Sequence, residues 1–166
     1  YSKIEKTKKI KSIKNELIRY VLQNYDMPPV SVFMYSDIFS KGNGLASSSS
    51  YVLSLIKSCH SFLGIKSNNY EICKLALNIE RKFNLNCGFQ DPFGCQIPGL
   101  KVIKTTDDIN FKVKKINSNF LNNYSMYLLP TNLFRNSSKI LEKLSTNYSN
   151  ILPLYETAIK AERLLD

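Results

Sequence analysis

Gly42-Asn43-Gly44-Leu45-Ala46-Ser47-Ser48-Ser49-Ser50 is the stretch on which the reading of this chain turns. Upstream, Val30 to Phe39 is rich in Val, Phe, Tyr and Met with partial alternation, which predicts a strand. Downstream, Val52, Leu53, Leu55, Ile56, Cys59, Phe62 and Leu63 predict a mostly buried helix over 49–63, closed by Gly64. Glycines admit close approach of backbone N–H groups to a ligand, and a helix start adds unpaired donors and a positive dipole end. The segment therefore suits a phosphate. It is not a Walker A loop, because no Lys-Ser or Lys-Thr pair ends it. Composition alone equally admits a plain Gly/Ser connection with a serine cap.

Outward from the loop, residues 4–25 carry Ile10, Ile13, Leu17 and Val21, with Ile18, Leu22 and Tyr25, at helical spacing, and Pro28 and Pro29 end that helix. Asn68 with Glu71 three residues on predicts a capped helix whose apolar face is Ile72, Leu75, Ala76, Ile79 and Phe83 and which carries Glu80 near its end. Residues 85–99 hold three of the six glycines and two of the six prolines, the composition of a shaped loop. Strands are expected at 100–104, 111–116 and 124–129, then helices at 136–148 and 151–165. The class is α+β.

With 166 residues, 43% of them hydrophobic, the chain can build one compact core, or one domain and part of a second. No window approaches the roughly 18 apolar residues of a membrane span, and residues 1–25 lack a signal-type apolar core, so the expected location is the cytoplasm. With Tyr1 in place of Met at its head, the chain is expected not to begin at a native start. Cys59, Cys73, Cys87 and Cys95 form no CxxC pair and His60 is the one histidine, which leaves zinc and a disulfide framework without support. His60 reads as structural, and Cys59 beside it on a helix points elsewhere, so the two make no hydrolase pair. The net charge of +10 raises nucleic acid as a partner. Half of that charge, however, lies in residues 1–19, where a solvated helix face accounts for it, and no modular nucleic-acid signature accompanies it.

Gly44-Leu45-Ala46-Ser47-Ser48-Ser49-Ser50 before an apolar helix resembles the Gly-Leu-Gly-Ser-Ser-Ala phosphate loop of the GHMP kinases. Asn78-Ile79-Glu80-Arg81, with Gly88-Phe89-Gln90-Asp91 following, is similar to the Glu-Arg helix and Gly-x-Gln-Asp loop of that family's sugar-kinase branch, especially the heptose 7-phosphate kinases. The eleven residues from Glu80 to Asp91 match the family's spacing. Leu128 to Leu141, with Thr131, Asn132, Arg135 and Ser137, resembles the strand, Thr-Gly-x-x-Arg turn and helix start that come next. Ser40, Ala46, Pro98 and Asn132 depart from the pattern.

The resemblance implies a GHMP-kinase-like N-terminal lobe with a ribosomal-protein-like βαβ fold, incomplete, over 1–135, and the start of a C-terminal α+β lobe over 136–166. It implies ATP and Mg²⁺, with Gly42, Asn43, Gly44, Leu45, Ala46, Ser47, Ser48 and Ser49 at the nucleotide and Ser47 or Ser48 with Glu80 at the metal. Asp91 is the implied catalytic residue for the sugar hydroxyl, and Arg135 an implied substrate contact. The partners are then a small sugar phosphate and ATP, and the piece is expected to be inactive alone. Two other readings stand beside this one: a degenerate kinase-like interaction protein, which the four departures suggest, and a basic nucleic-acid-binding domain.

Overall fold

The computed structural model describes residues 4–36, 44–107, 110–129 and 151–165. Their contacts cluster in two compact units, one within Tyr1–Ser40 and Leu45–Gln96, the other within Lys41–Gly44 and Ile97–Asp166.

The first unit is helical. Helix α1 runs Glu16–Asn24, α2 Ser47–Leu63, α3 Asn69–Phe83 and α4 Gln90–Gln96. Val21 and Leu22 of α1, Val52, Leu53, Leu55, Ile56 and Cys59 of α2, and Ile72, Ala76 and Ile79 of α3 form one core. The sets of α2 and α3 recur at three-to-four spacing, as does that of α1 once half-buried Leu17 and Ile18 are added, so each helix turns a single stripe inward. α2 ends as expected: Gly64 takes φ 68 and its neighbour Ile65 donates back to the His60 carbonyl. α3 begins with a complete capping box, in which the Asn68 side chain accepts from Glu71 N–H and the Glu71 carboxylate accepts from Asn68 N–H.

Four expectations are corrected. The helix over 4–25 is shorter: residues 4–9 are irregular, Ile10–Ser12 is a single 3₁₀ turn, and α1 starts only where the Asn15 side chain accepts from Ile18 N–H. Ile13, at φ −65 and ψ 125, interrupts the helical backbone between the two, yet Ile10, Ile13, Leu17 and Ile18 still pack on the core. Periodicity is preserved where continuity is not. Of the strand expected over 30–39, residues 37–39 lie outside the described residues and 30–36 are irregular, with Phe33 and Tyr35 exposed; apolar β-formers make a strand only when a ladder accepts them.

The loop expected over 85–99 contains α4. Pro92 occupies the first turn, where a missing N–H costs nothing, and Pro92 and Phe93 bury themselves. Tyr70 and Phe89 meet Phe93 edge-on at 5.4 and 6.5 Å. Finally, 124–129 is no strand but an exposed segment after a 3₁₀ turn at Asn119–Asn123.

The second unit holds β1, Lys101–Thr105, paired antiparallel with β2, Phe111–Lys115, in the register Lys101 to Lys115 and Ile103 to Val113. Both strands fall where the sequence places them. Helix α5, Ile151–Leu165, also occurs as expected, and Glu162 on it pairs with Lys104 at 2.7 Å. The class is α+β, with a small two-stranded sheet. The helix expected over 136–148, the boundary at 135/136 and Arg135 lie outside the described residues.

Candidate active site

The backbone enters α2 through two left-handed residues, Gly44 at φ 74 and Ala46 at φ 52. Ala46 is the N-cap and has no side chain with which to cap. The N-cap side chain therefore gives the first turn no acceptor, and a helix start favours negative charge nearby. Ser47, Ser48 and Tyr51 of that turn line a shallow recess with Leu17 of α1. Gly42 and Asn43 lie outside the described residues, while Gly44 and Leu45 are exposed.

Beneath this turn lies a carboxylate. Glu80, in the last turn of α3, is 5% exposed, and Ser49, at 1%, donates its hydroxyl to both carboxylate oxygens, 2.9 Å to Oε1 and 2.7 Å to Oε2. The Cys87 thiol donates to Oε2 at 3.7 Å, and Ser48 is near enough to favour the ionised carboxylate. The link between α2 and α3 is thus polar where the start of one meets the end of the other, although both helices bury apolar stripes.

Electrostatics at this point are unusual. Burial pushes the Glu80 carboxyl above its ordinary range, the charge of Asp91 pushes it the same way, and the Ser49, Ser48 and Cys87 hydrogen bonds oppose the rise. Cys87 is pushed up to about 12 by burial and by the Glu80 and Asp91 charges, so it stays a thiol. The donors on Glu80 are hydroxyls and a thiol, and the neighbouring charge that perturbs it is a second carboxylate. No cation is among the groups that perturb it, so hydrogen bonds alone offset its burial.

Asp91 is held near Glu80 by the connection between α3 and α4. Asn84 N–H returns to the Glu80 carbonyl at 2.9 Å, Cys87 N–H donates to Asn84 O at 3.0 Å, and the Arg81 Nε donates to the Cys87 carbonyl at 3.2 Å. The turn brings the Cys87 thiol back under Glu80. Asp91 then stands exposed in the first turn of α4, which buried Phe93 anchors. Ser48, Ser49, Glu80 and the charge of Asp91 are in this way collected from three helices.

Would these residues suit magnesium? Among the described residues no group of three or more His, Cys, Asp and Glu side chains gathers as a metal site by itself. The donors present are a carboxylate and serine hydroxyls beside a second carboxylate, the hard oxygens that magnesium takes when phosphate oxygens complete its shell. They fit.

Two partners of Glu80 went unrecognised in the sequence. The Ser49 side chain serves the carboxylate, and its signal was its place in line with Val52 and Ile56, three and seven residues on, in the buried stripe of α2. The sequence offers Cys87 neither a zinc nor a disulfide role; only the turn after α3 reveals its place under Glu80. His60 is structural, as expected, and its ring bridges two hydroxyls, Tyr25 at 2.7 Å from Nε2 and Ser67 at 2.7 Å from Nδ1. A wider recess between α1 and α3, bordered by Tyr20, Asn78 and Lys82, contains none of the candidate residues.

Residues 10–98 match the family of the GHMP kinases N terminal domain, more than half of the chain, and the protein belongs to that family. Its similarity extends to the D-glycero-alpha-D-manno-heptose 7-phosphate kinase of Campylobacter jejuni, 33% identical over 97 residues, which cover 57% of this chain and 27% of that enzyme. The chain thus spans about a quarter of the length of the curated relative it matches. No solved structure matches it. Among the described residues no helix is long and apolar enough to cross a membrane.

Proposed function

We propose that this chain is part of an ATP-dependent cytoplasmic kinase that phosphorylates a hydroxyl of heptose 7-phosphate or a related sugar. The observation that carries the reading is the buried Glu80 carboxylate, tied to the first turn of α2 by Ser49 and perturbed by Ser48 and Asp91, within a GHMP kinase N-terminal domain.

In this reading Gly42–Ser49 cradle the nucleotide phosphates with backbone N–H groups, and Arg135 meets a phosphate or the sugar. Glu80 with Ser47 or Ser48 would hold magnesium, which supplies neutralisation of phosphate charge. Asp91 orients the attacking hydroxyl or accepts its proton. It is exposed where Glu80 is buried, a division that suits one carboxylate to a substrate and the other to a bound ion. Residues 1–135 would belong to the N-terminal lobe with the family's βαβ layout, and 136–166 would begin a second lobe, so the segment would need the remainder of the enzyme for turnover.

The test is made on the complete protein that contains this chain, with ATP and heptose 7-phosphate. Asp91→Asn should lower kcat by about 100-fold or more, the scale of a lost acid–base group, while nucleotide affinity stays the same. Glu80→Gln should weaken magnesium-nucleotide binding as well as turnover. An Asp91→Asn protein as fast as the wild type rejects the assignment.

A further inference from the structure

Ser49 is the third residue of α2 and faces inward, unlike Ser48 and Ser50, which are exposed. A serine in an apolar stripe is unfavourable unless its hydroxyl finds a partner. Here that partner is a buried carboxyl group. The terminal torsion of a glutamate is broad and roughly two-fold, so nothing in the side chain itself decides how its carboxylate plane lies. Oγ of Ser49 stands almost equally far from both oxygens, 2.9 and 2.7 Å, and one hydroxyl proton is shared between them. That arrangement puts the hydroxyl near the bisector of the carboxylate. Ser48, which opposes the upward shift of the same carboxyl, lines the recess at the helix start. The orientation of Glu80 is therefore established by the protein.

We propose that Ser49 is a positioning residue, which holds the Glu80 carboxylate in the orientation that serves a divalent cation beside Ser48 without itself touching cation or nucleotide phosphate through its side chain. The proposal rests on the reading of Glu80 and Ser48 as metal-holding groups. It assigns the side chains of three consecutive serines distinct tasks: Ser47 and Ser48 face the recess, and Ser49 faces the carboxylate. A merely structural tie between α2 and α3 would stabilise the fold and leave metal affinity alone.

The experiment uses the complete protein and measures Mn²⁺ binding by calorimetry, the magnesium concentration for half-maximal turnover, KM for the sugar phosphate, and the melting temperature without metal. Ser49→Ala should raise the Mn²⁺ dissociation constant and the magnesium requirement by about 10- to 100-fold, the range for groups that orient a ligand from behind it, with sugar KM unchanged. Ser49→Cys keeps the volume with a weaker donor and should show the same rise without a cavity. Ser49→Thr should restore both. A lower melting temperature with unchanged Mn²⁺ affinity in the Ala and Cys variants overturns the proposal, as does a folded Thr variant that fails to restore it. Glu80→Gln separates the two levels: if it abolishes Mn²⁺ binding while the Ser49 variants are silent, only the role of Ser49 is lost. If it too is silent, Glu80 holds no metal and the functional reading falls with it.

Discussion

The hydroxyl of Ser49 reaches both carboxylate oxygens of Glu80, at 2.9 and 2.7 Å, across a sequence separation of 31 residues, and both side chains are buried. This contact joins the start of α2 to the end of α3, and it places an acid under a helix terminus that has no acidic residue in its own first turn. Helix N-termini favour negative charge nearby. Burial nevertheless disfavours the ionised form, and Asp91 adds to the disfavour. The two tendencies define what replacement of Glu80 should do.

Glu80→Gln retains an acceptor for the serine hydroxyls and removes a buried charge. Its melting temperature without metal should accordingly match or exceed that of the wild type, since uncompensated buried charge is costly. Magnesium should raise the melting temperature of the wild type and leave the variant unmoved, because only a ligand bound to the native state adds stability. Thermal denaturation with and without magnesium checks both halves. A variant that melts far below the wild type without metal would show that the charge itself is structural.

Tyr25 supplies a pH dependence away from the candidate site. Its hydroxyl lies against His60 Nε2, and burial, helped by the Cys59 charge, pushes its ionisation up from 10.0 to about 12. The folded state thus keeps a proton that the unfolded chain gives up earlier. The corresponding stability is fully present below pH 10 and is lost as the pH rises through about 12. Denaturant titrations of wild type and Tyr25→Phe at pH 9 to 11, on the approach to that value, should show a steeper alkaline decline in the wild type. Equal slopes would remove Tyr25 as the cause.

Ala46 adopts φ 52, a conformation that costs most L-residues about 1–2 kcal/mol. Glycine at this point relieves the strain but adds freedom to the unfolded chain. Ala46→Gly should therefore be neutral or stabilising by up to about 1 kcal/mol, the opposite of glycine's usual penalty in a helix. Equilibrium denaturation decides it.

Asn68 accepts from Tyr70 and Glu71 N–H at 2.9 and 3.0 Å, while Glu71 closes the box from the other side. Asn68→Ala should cost about 1 kcal/mol of stability, the usual loss of such a cap. Because the cap lies at the opposite end of α3 from Glu80, magnesium-nucleotide affinity should stay at the wild-type level. A loss of stability below about 0.3 kcal/mol would indicate that α3 is held by its core stripe alone.

The family and much of the helical framework were legible in the chain before any coordinate. Asn68 and Glu71 declare a helix start because capping is decided within four residues, and Gly64 ends α2 because the left-handed conformation is a local property of one residue. The stripes of α2 and α3 are local too, since periodicity needs only the helix itself. Residues 30–36 and 124–129 were misread for the converse reason: their β-forming composition says nothing of whether a neighbouring strand exists to pair with. Within 85–99, glycine and proline content concealed α4, which the burial of Phe93 against Tyr70 and Phe89 holds in place. The motif around Ser47, Ser48, Glu80 and Asp91 could be recognised by residue type and spacing. That Ser49 turns inward to grip Glu80, and that Cys87 folds back beneath it, depended on the packing of α2 against α3 and on the turn that follows, because a hydrogen bond between residues 31 apart is set by tertiary contact and by nothing in the local sequence of either.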